Sequence, residues 1–426
     1  MRILLANYRY FISGGPERYM FNVSDALQDR GHEIIPFSVH YTKNIPTAYS
    51  KYFVEPLGTR DEVIFQEQRL NIKTLVKTVS RLFYSPEVEC AVQNLVKDTK
   101  PEIAYVLHYL RKLSPSLLVG LKKANIPIVV RLSDYAMLCP QTHCLREEQP
   151  CELCVKGRCL LPSVYHRCVQ NSYAASTLNA LATWFHQARR YFDLIDVFVT
   201  TNVFMYDMMK SAGIGEQRLR CIPTFVNTKV FQPLKDSKKD NNIIYSGRLE
   251  QTKGVHVLIN AINILHMKRP DFKLHTKIVG AGNPAYSLAL QKKVKQYGLE
   301  EKIEFTGDVD TPRLCGLLAK AKLSVVPSLW YENLPNSMIE SYACGTPVIA
   351  SRIGSLIISV QEGETGFLFE PGDPSSLAER LLYCFEHPVH VHEMAMTSRR
   401  VAESLYAPSR HVAALEGLFS DLIKAK

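Results

Sequence analysis

Arg2-Ile3-Leu4-Leu5-Ala6 is a short apolar run typical of a buried strand, and with the segments that follow it decides the fold. The turn Ser13-Gly14-Gly15-Pro16-Glu17 puts a proline near a first helical position, where its missing N–H is not needed. Apolar residues then recur at helical spacing over residues 18–30 and stop at Gly31. A second strand is predicted at His32-Glu33-Ile34-Ile35-Pro36-Phe37-Ser38. This strand–turn–helix–strand unit predicts the start of a doubly wound sheet.

Further strand candidates recur along the chain, and helical stretches separate most of them. They are residues 103–107, 126–132, 197–201, 220–222, 242–246, 274–279, 302–306, 323–326 and 347–350. We predict an α/β protein of two tandem Rossmann-like, doubly wound domains, with the default ligand site in the cleft between them.

The predicted domain boundaries follow from a change in composition near the middle of the chain. Residues 226–241 turn polar and contain proline, so they are the best linker candidate. The N-terminal domain is then residues 1–225, the C-terminal domain is residues 242–391, and a helical tail occupies residues 392–426. A length of 426 residues agrees with two domains, because one core rarely grows beyond about 250–300 residues.

Composition narrows the class of protein. Hydrophobic residues make up 46% and charged residues 22%, as in soluble globular proteins. No apolar run is long enough to cross a bilayer, and the first strand lacks the features of a signal peptide, so we predict a cytoplasmic protein. Nucleic acid is a poor partner because no basic run with interleaved aromatics occurs.

The net charge of +10 is uneven, with +7 in residues 1–225. This excess favours anionic partners such as lipid head groups or diphosphates, although a modestly basic surface explains it equally well. Residues 184–192 contain Trp, Phe and Arg in an amphipathic order. They suggest peripheral contact with the inner face of the plasma membrane, and an ordinary surface helix remains the alternative.

Two cations stand on a turn between a strand and a helix in the second half of the chain. Ser246-Gly247-Arg248-Leu249-Glu250-Gln251-Thr252-Lys253-Gly254 places Arg248 and Lys253 at the carboxyl end of a strand, where ligands bind in such sheets. Fixed positive charge at this place could neutralise a diphosphate leaving group. Alone, the two residues could equally be solvated loop cations.

The most informative motif is Tyr331-Glu332-Asn333-Leu334-Pro335-Asn336-Ser337-Met338-Ile339-Glu340. Glu332 precedes a predicted helix at about residues 336–342, and Glu340 lies within it. Carboxylates pair well with sugar hydroxyls, and the free N–H groups of Asn336 and Ser337 at a helix start pair well with phosphate. The segment could therefore hold both halves of a nucleotide-sugar, whereas two exposed surface acids are the alternative.

These motifs together resemble the retaining, family 4 type of the GT-B glycosyltransferases. The resemblance covers nearly the whole chain and depends on Gly14-Gly15, on Ser246-Gly247-Arg248 with Lys253-Gly254, and on the E-x7-E spacing of Glu332 and Glu340. It implies a GT-B fold, a nucleotide-diphosphate sugar donor, a carbohydrate or lipid-linked acceptor, and transfer with retention of anomeric configuration. It implies no catalytic metal.

The resemblance also implies roles for individual residues. Arg248 and Lys253 would bind the diphosphate, and Gly15 would lie near the phosphates. Glu332 and the amides of Asn336 and Ser337 would meet the sugar, and Glu340 would meet the ribose. Without an obvious protein nucleophile, catalysis would rest on positioning the donor and neutralising its leaving group.

Two positions depart from the pattern of the relatives. Many of them carry a His-Asp pair after the strand at residues 126–132, but here Ser133 precedes Asp134. Asp134 remains, with Glu332, a candidate catalytic residue, and His108 is a possible substitute for the missing histidine. Asp308-Val309-Asp310 is similar to a metal-binding DxD motif, although it follows a strand of the wrong domain.

Six cysteines occur within thirty residues, and two of them, Cys151 and Cys154, have the C-x2-C spacing that suits zinc. The full group is Cys139, Cys144, Cys151, Cys154, Cys159 and Cys168. We predict a structural zinc site on Cys151, Cys154, Cys159 and Cys168, within an insertion at about residues 139–168 that braces a loop near the acceptor. Unpaired or reversibly oxidised thiols are the alternative.

The predicted function is a glycosyltransferase of surface polysaccharide or glycolipid biosynthesis. A small-acceptor synthase of the same fold, of the sucrose or trehalose type, is a second possibility. A non-catalytic nucleotide-sugar or metal-binding regulator is a third, and the intact set of Arg248, Lys253, Glu332 and Glu340 argues against it.

Overall fold

The computed structural model describes residues 1–61, 72–234, 239–270 and 273–426. The strands in this part of the chain are β1 (Arg2–Ala6), β2 (Glu33–Phe37), β3 (Ile103–Val106), β4 (Ile128–Arg131), β5 (Leu145–Arg146), β6 (Gln149–Pro150), β7 (Val197–Thr200), β8 (Leu219–Cys221), β9 (Asn242–Ser246), β10 (His275–Val279), β11 (Ile303–Gly307), β12 (Leu323–Val326), β13 (Val348–Ser351) and β14 (Gly366–Phe369).

The α-helices of the same part of the chain alternate with these strands. They are α1 (Gly15–Gln28), α2 (Ile72–Phe83), α3 (Pro86–Thr99), α4 (Ser116–Lys123), α5 (Leu153–Lys156), α6 (Leu161–Tyr165), α7 (Tyr173–Ala188), α8 (Val203–Ser211), α9 (Val255–Lys268), α10 (Pro284–Gln296), α11 (Thr311–Lys320), α12 (Asn336–Ala343), α13 (Leu356–Ser359), α14 (Pro374–Glu386), α15 (Pro388–Leu405) and α16 (Pro408–Lys424).

The described strands form two large parallel sheets and one small hairpin. The first sheet has the order β2-β1-β3-β4-β7-β8, and the second has the order β11-β10-β9-β12-β13-β14. Adjacent strands within each large sheet run parallel. The predicted fold class, α/β with two doubly wound domains, is confirmed. Strand β14 has no counterpart in the sequence-based strand list, because its four residues begin at a glycine and offer only a short apolar run.

The strands are buried because helices cover both faces of each sheet. Strands β3, β4, β7, β12 and β13 are buried at every position. This is the burial that parallel strands require, and it explains why they appear in the sequence as continuous apolar runs without alternation.

The last helix, α16, packs on the first domain. Val412, Leu415 and Phe419 of α16 are buried in the same cluster as Ile3 and Tyr105, which belong to the first sheet. The segment predicted as a helical tail is therefore helical, and its final helix completes the core of the N-terminal domain.

The predicted linker, residues 226–241, has an inner part that lies outside the described residues, at 235–238. Before that part, Val226 and Phe231 are buried in a cluster of the second domain together with Met338 and Tyr342. The described residues contain no helix that is both long enough and apolar enough to cross a membrane.

Candidate active site

The order of strands in the second sheet positions the candidate donor site. Chain order reverses between the neighbours β9 and β12, and such a switch point opens a crevice at the carboxyl ends of the strands. The loop after β9 carries Arg248 and Lys253, and the loop after β12 carries Glu332. Gly254 lets the loops touch, since its φ is +68° and an added Cβ would lie 1.8 Å from the Pro327 carbonyl oxygen.

The partly buried Lys253 and the buried Glu332 form an ion pair at this crevice. The Nζ atom of Lys253 lies 2.6 Å from Oε1 of Glu332. The same oxygen accepts hydrogen bonds from the Ser328 hydroxyl at 2.6 Å and from the Trp330 indole at 2.9 Å. Burial alone would raise the pKa of Glu332, but these donors outweigh burial and hold the pKa below its usual range. Glu332 is therefore ionised and fixed in place.

Arg248 has a different environment. Its side chain is 64% exposed, and it forms an ion pair with the half-buried Glu250 at 2.9 Å. An exposed pair of this kind contributes little to stability and is easily exchanged for another anion. Arg248 is thus free to turn toward a ligand, whereas Lys253 is already positioned.

The two domains meet at the starts of α1 and α12. An added Cβ on Gly15 would lie 3.3 Å from the Asn336 side-chain nitrogen, so these predicted donor residues face each other. Three residues further along α1, Arg18 donates to Glu340 Oε1 at 3.0 Å. Burial raises the pKa of Glu340 above its usual range, and Arg18 opposes this shift only in part. Arg18 is a site residue that the sequence motifs did not indicate.

Asp134 lies on the N-terminal side of the cleft, after β4. Its Oδ2 atom is 3.5 Å from His108 Nε2, and its Oδ1 atom accepts the backbone N–H of Ala136 at 2.9 Å. Burial would raise the pKa of Asp134, but the contact with His108 and the other donors hold it below its usual range. Ser133 accepts a hydrogen bond from the buried Arg131 at 2.8 Å, which gives Ser133 a structural partner.

The insertion supplies two residues that the sequence motifs missed. The ring of His143 packs against the Trp330 ring at a centroid distance of 5.0 Å, so the indole that binds Glu332 also touches the other domain. The Tyr331 hydroxyl donates to Glu152 Oε1 at 2.6 Å. No residue pattern in the insertion predicts these contacts, because they depend on how the loop folds over the cleft.

The structure brings four of the six clustered cysteines to one cavity. A cavity of about 20 Å³ is lined by Cys139, Cys151, Cys154 and Cys168. The predicted ligand Cys159 is exposed and does not line it. Within the described residues, no three His, Cys, Asp or Glu side chains already have the arrangement of a metal site.

The aspartates of the DxD-like segment have structural partners. Asp308 Oδ1 accepts the backbone N–H of Ala281 at 2.9 Å, and Asp310 caps α11 by accepting the N–H of Arg313 at 3.0 Å. Both contacts satisfy backbone donors at loop and helix starts. They account for this segment without a metal.

The arrangement can bind an anionic, hydroxyl-rich molecule between the domains. One wall offers the fixed Lys253–Glu332 pair and the adaptable Arg248. The other wall offers the glycine turn before α1 and the Asp134–His108 pair. Cations can neutralise phosphate, and carboxylates can accept sugar hydroxyls.

The fold is that of the GT-B class. The chain is similar over 100% of its length to all of sucrose-phosphate synthase from Thermosynechococcus elongatus, with a TM-score of 0.75 and 19% identity. It is also similar to Anabaena HepE in complex with UDP, over 99% of this chain and 100% of that one, with a TM-score of 0.68 and 17% identity.

At the level of sequence, residues 226–401 match the family described as glycosyl transferases group 1. A D-inositol 3-phosphate glycosyltransferase of Paenarthrobacter aurescens is 29% identical over 46% of this chain and 50% of its own length. An MMP alpha-(1->4)-mannosyltransferase of Mycolicibacterium hassiacum is 27% identical over 47% of this chain and 48% of its own length. The chain thus spans about half the length of the curated relatives it matches.

Proposed function

We propose that this protein transfers a glycosyl group from a nucleotide-diphosphate sugar to a carbohydrate or lipid-linked acceptor. The observation that carries the proposal is the ion pair of the partly buried Lys253 with the buried Glu332, at 2.6 Å, at the switch point of the second sheet. Burying such a pair costs desolvation and is weak evidence for stability, so a ligand-binding role accounts for it better. The match of residues 226–401 to glycosyl transferases and the UDP held by HepE support this donor class.

In the proposed reaction, Lys253 and Arg248 neutralise the diphosphate as the bond to the sugar breaks. Glu332 and the amides of Asn336 and Ser337 hold the sugar, and Glu340 holds the ribose after exchanging its contact with Arg18. The paired Glu332 carboxylate is a poor nucleophile, because the three donors on Oε1 stabilise its charge. We propose retention of anomeric configuration, with the acceptor attacking from the face that the diphosphate leaves and Asp134 positioned to take its proton.

A panel of nucleotide-sugars tests the proposal. The cognate donor should raise the midpoint of thermal unfolding and be turned over, since a ligand that binds only the folded state stabilises it. Arg248→Ala and Glu340→Ala should each reduce turnover, while Glu304→Ala, an exposed acid on β11, should leave it unchanged. Unchanged turnover in both site variants would refute the assignment, and binding without turnover would favour a regulator. The anomeric signal of the product in NMR tests retention.

We further propose that the acceptor is presented at an anionic membrane surface, as in surface polysaccharide or glycolipid biosynthesis. Large apolar side chains on α6 and α7 are exposed, among them Tyr165 at 77% and Trp184 at 60%. Arg167, Arg189 and Arg190 lie exposed on the same segments. Apolar side chains flanked by cations are the surface that binds anionic lipid.

Sedimentation with vesicles tests the membrane contact. Binding to phosphatidylglycerol vesicles should exceed binding to phosphatidylcholine vesicles and should weaken in Trp184→Gln. Met267→Gln, which alters a residue that is 74% exposed in the other domain, is the matched control. Equal binding to both lipids, or none, would contradict the proposal.

A small phosphorylated acceptor is a second candidate, and Lys112 favours it. The Nζ atom of Lys112, beyond the carboxyl end of β3, is buried without a hydrogen-bond partner. Burial, together with the charges of Arg9 and Arg81, lowers the pKa of Lys112 to about 8. A bound phosphate would relieve this repulsion, and the name of the Paenarthrobacter relative specifies an inositol phosphate.

Matched acceptors distinguish the two candidates. If the acceptor carries a phosphate, Lys112→Met should raise KM for the phosphorylated acceptor by about tenfold or more, because a charge-assisted hydrogen bond is lost. The KM of the same acceptor without its phosphate should not change. An equal effect on both acceptors would contradict an anion-binding role for Lys112.

A further inference from the structure

The insertion at residues 139–168, between β4 and α7, has little regular structure to stabilise it. Its elements β5 and β6 have two residues each, and α5 and α6 have four and five. Short segments of this kind bury little apolar surface, and a covalent or metal cross-link often holds them in one conformation. The insertion nevertheless makes specific contacts with the other domain through Glu152 and His143. Its interior contains the groups that such a cross-link needs.

That interior contains a group of thiols. Cys139, Cys151, Cys154 and Cys168 line one cavity of about 20 Å³, whose other lining residues are mostly apolar. They come from four separate places: the turn after Tyr135, the end of the hairpin, helix α5, and the turn after α6. Four thiols that line one cavity, two of them with C-x2-C spacing, match the tetrahedral set of a structural zinc site.

We propose that Cys139, Cys151, Cys154 and Cys168 bind one zinc ion that braces the insertion against the cleft. The side chains need to turn toward the centre of the cavity, because the described residues contain no ready-made metal-binding group. Cysteine has a single heavy-atom torsion, χ1, so this change is a local rotation between staggered positions. Four Zn–S bonds of about 2.3 Å then fill the cavity.

The brace has a consequence for the cleft. Glu152 lies between the ligands Cys151 and Cys154, and its carboxylate accepts the Tyr331 hydroxyl. His143 lies between Cys139 and Cys144 and packs against Trp330. Zinc therefore holds both contacts to the loop that carries Glu332, and its removal should loosen the insertion while the Lys253–Glu332 pair remains intact.

Metal analysis tests the site independently of enzymatic activity. The full chain, purified reduced and without chelator, should contain about one zinc per molecule by inductively coupled plasma mass spectrometry. Cys151→Ser and Cys154→Ser should each reduce the zinc content at least fivefold. Cys159→Ser, in the same insertion but outside the cavity, and Cys221→Ser, exposed on β8, should retain it.

A second measurement uses only the wild-type protein, so it tests the zinc site even if the cysteine variants fail to fold. In the native wild-type protein, the four thiols should resist alkylation until a chelator is added, and mass spectrometry of peptides identifies them. Less than a tenth of an equivalent of zinc, both as purified and after reconstitution with zinc chloride, would overturn the proposal. Disulfides between these cysteines, iron with sulfide in place of zinc, or loss of zinc in Cys159→Ser would overturn it as well.

Discussion

The two domains have sheets of the same doubly wound type, but different elements position the residues on the two sides of the cleft. In the C-terminal domain, the loops at the switch point pair Lys253 with Glu332 at 2.6 Å. In the N-terminal domain, the wall is built by Asp134 at the end of a strand and by an insertion with little secondary structure. The first side is positioned by the sheet, and the second depends on a loop that we propose to be braced by zinc.

This difference accounts for what the comparisons detect. The match to glycosyl transferases covers residues 226–401, which is the half with the preorganised site. On the proposed function, this half binds the nucleotide-diphosphate donor and the other half meets the acceptor.

The largest effect should come from Glu332→Gln, which keeps the volume and removes the charge. We expect kcat to fall about 100-fold or more, because preorganised polar groups at the reacting centre make the largest contributions to catalysis. Turnover of the cognate donor measures it. Glu364→Gln, which removes an exposed acid of the same domain before β14, is the control. A fall of less than threefold in Glu332→Gln would show that the pair has no role in transfer.

Lys253→Met should be next in size. It leaves the buried Glu332 without its cation, so unfolding free energy should fall by about 3–5 kcal/mol and donor affinity should fall with it. The double variant Lys253→Met with Glu332→Gln should be less destabilised than the sum of the two single changes. Urea unfolding of the three variants measures this coupling. Strict additivity would contradict the ion pair.

Arg18→Gln should have an intermediate effect, because Arg18 connects the two sides. The substitution removes the hydrogen-bond donor to Glu340 across the cleft. We therefore expect kcat/KM to fall about three- to tenfold. Arg30→Gln breaks an ion pair with Glu416 beyond the opposite end of α1 and should leave kcat/KM unchanged. If both variants behave alike, the Arg18 contact has no function in the cleft.

The smallest effect should come from Tyr331→Phe, which loses only the hydrogen bond to Glu152. One such bond is worth about 1 kcal/mol, so kcat/KM should fall about fivefold with little change in donor affinity. Tyr297→Phe, which loses a hydroxyl bonded to Asn260 within the C-terminal domain, should leave both unchanged. A larger fall in donor affinity than in kcat would assign Tyr331 to the donor side alone.

Much of the fold, and the positions of the loops on the C-terminal side of the cleft, could be predicted from sequence for local reasons. Strands β1, β3 and β4 are apolar runs because parallel strands are buried on both faces. The helix predicted at about residues 336–342 is α12, Asn336–Ala343. Glycine and proline mark its ends, so its position is visible without knowledge of the rest of the chain.

The acceptor side could not be predicted to the same degree. Arg18, His143 and Glu152 act through contacts with residues more than one hundred positions away in the chain. Spacing along the chain also could not distinguish Cys139 from Cys159 as the fourth thiol, since only the folded loop shows which sulfur faces the cavity.

The sequence by itself determined the two α/β domains, the loops at the second switch point and the residue types Arg248, Lys253, Glu332 and Glu340. Hydrophobic period and turn chemistry are local, so they can be recognised along the chain. Only the tertiary structure decided that Lys253 pairs with Glu332, that Arg18 reaches Glu340, and which four cysteines surround one cavity. Those contacts depend on the packing of elements that are distant in sequence, and no local pattern encodes them.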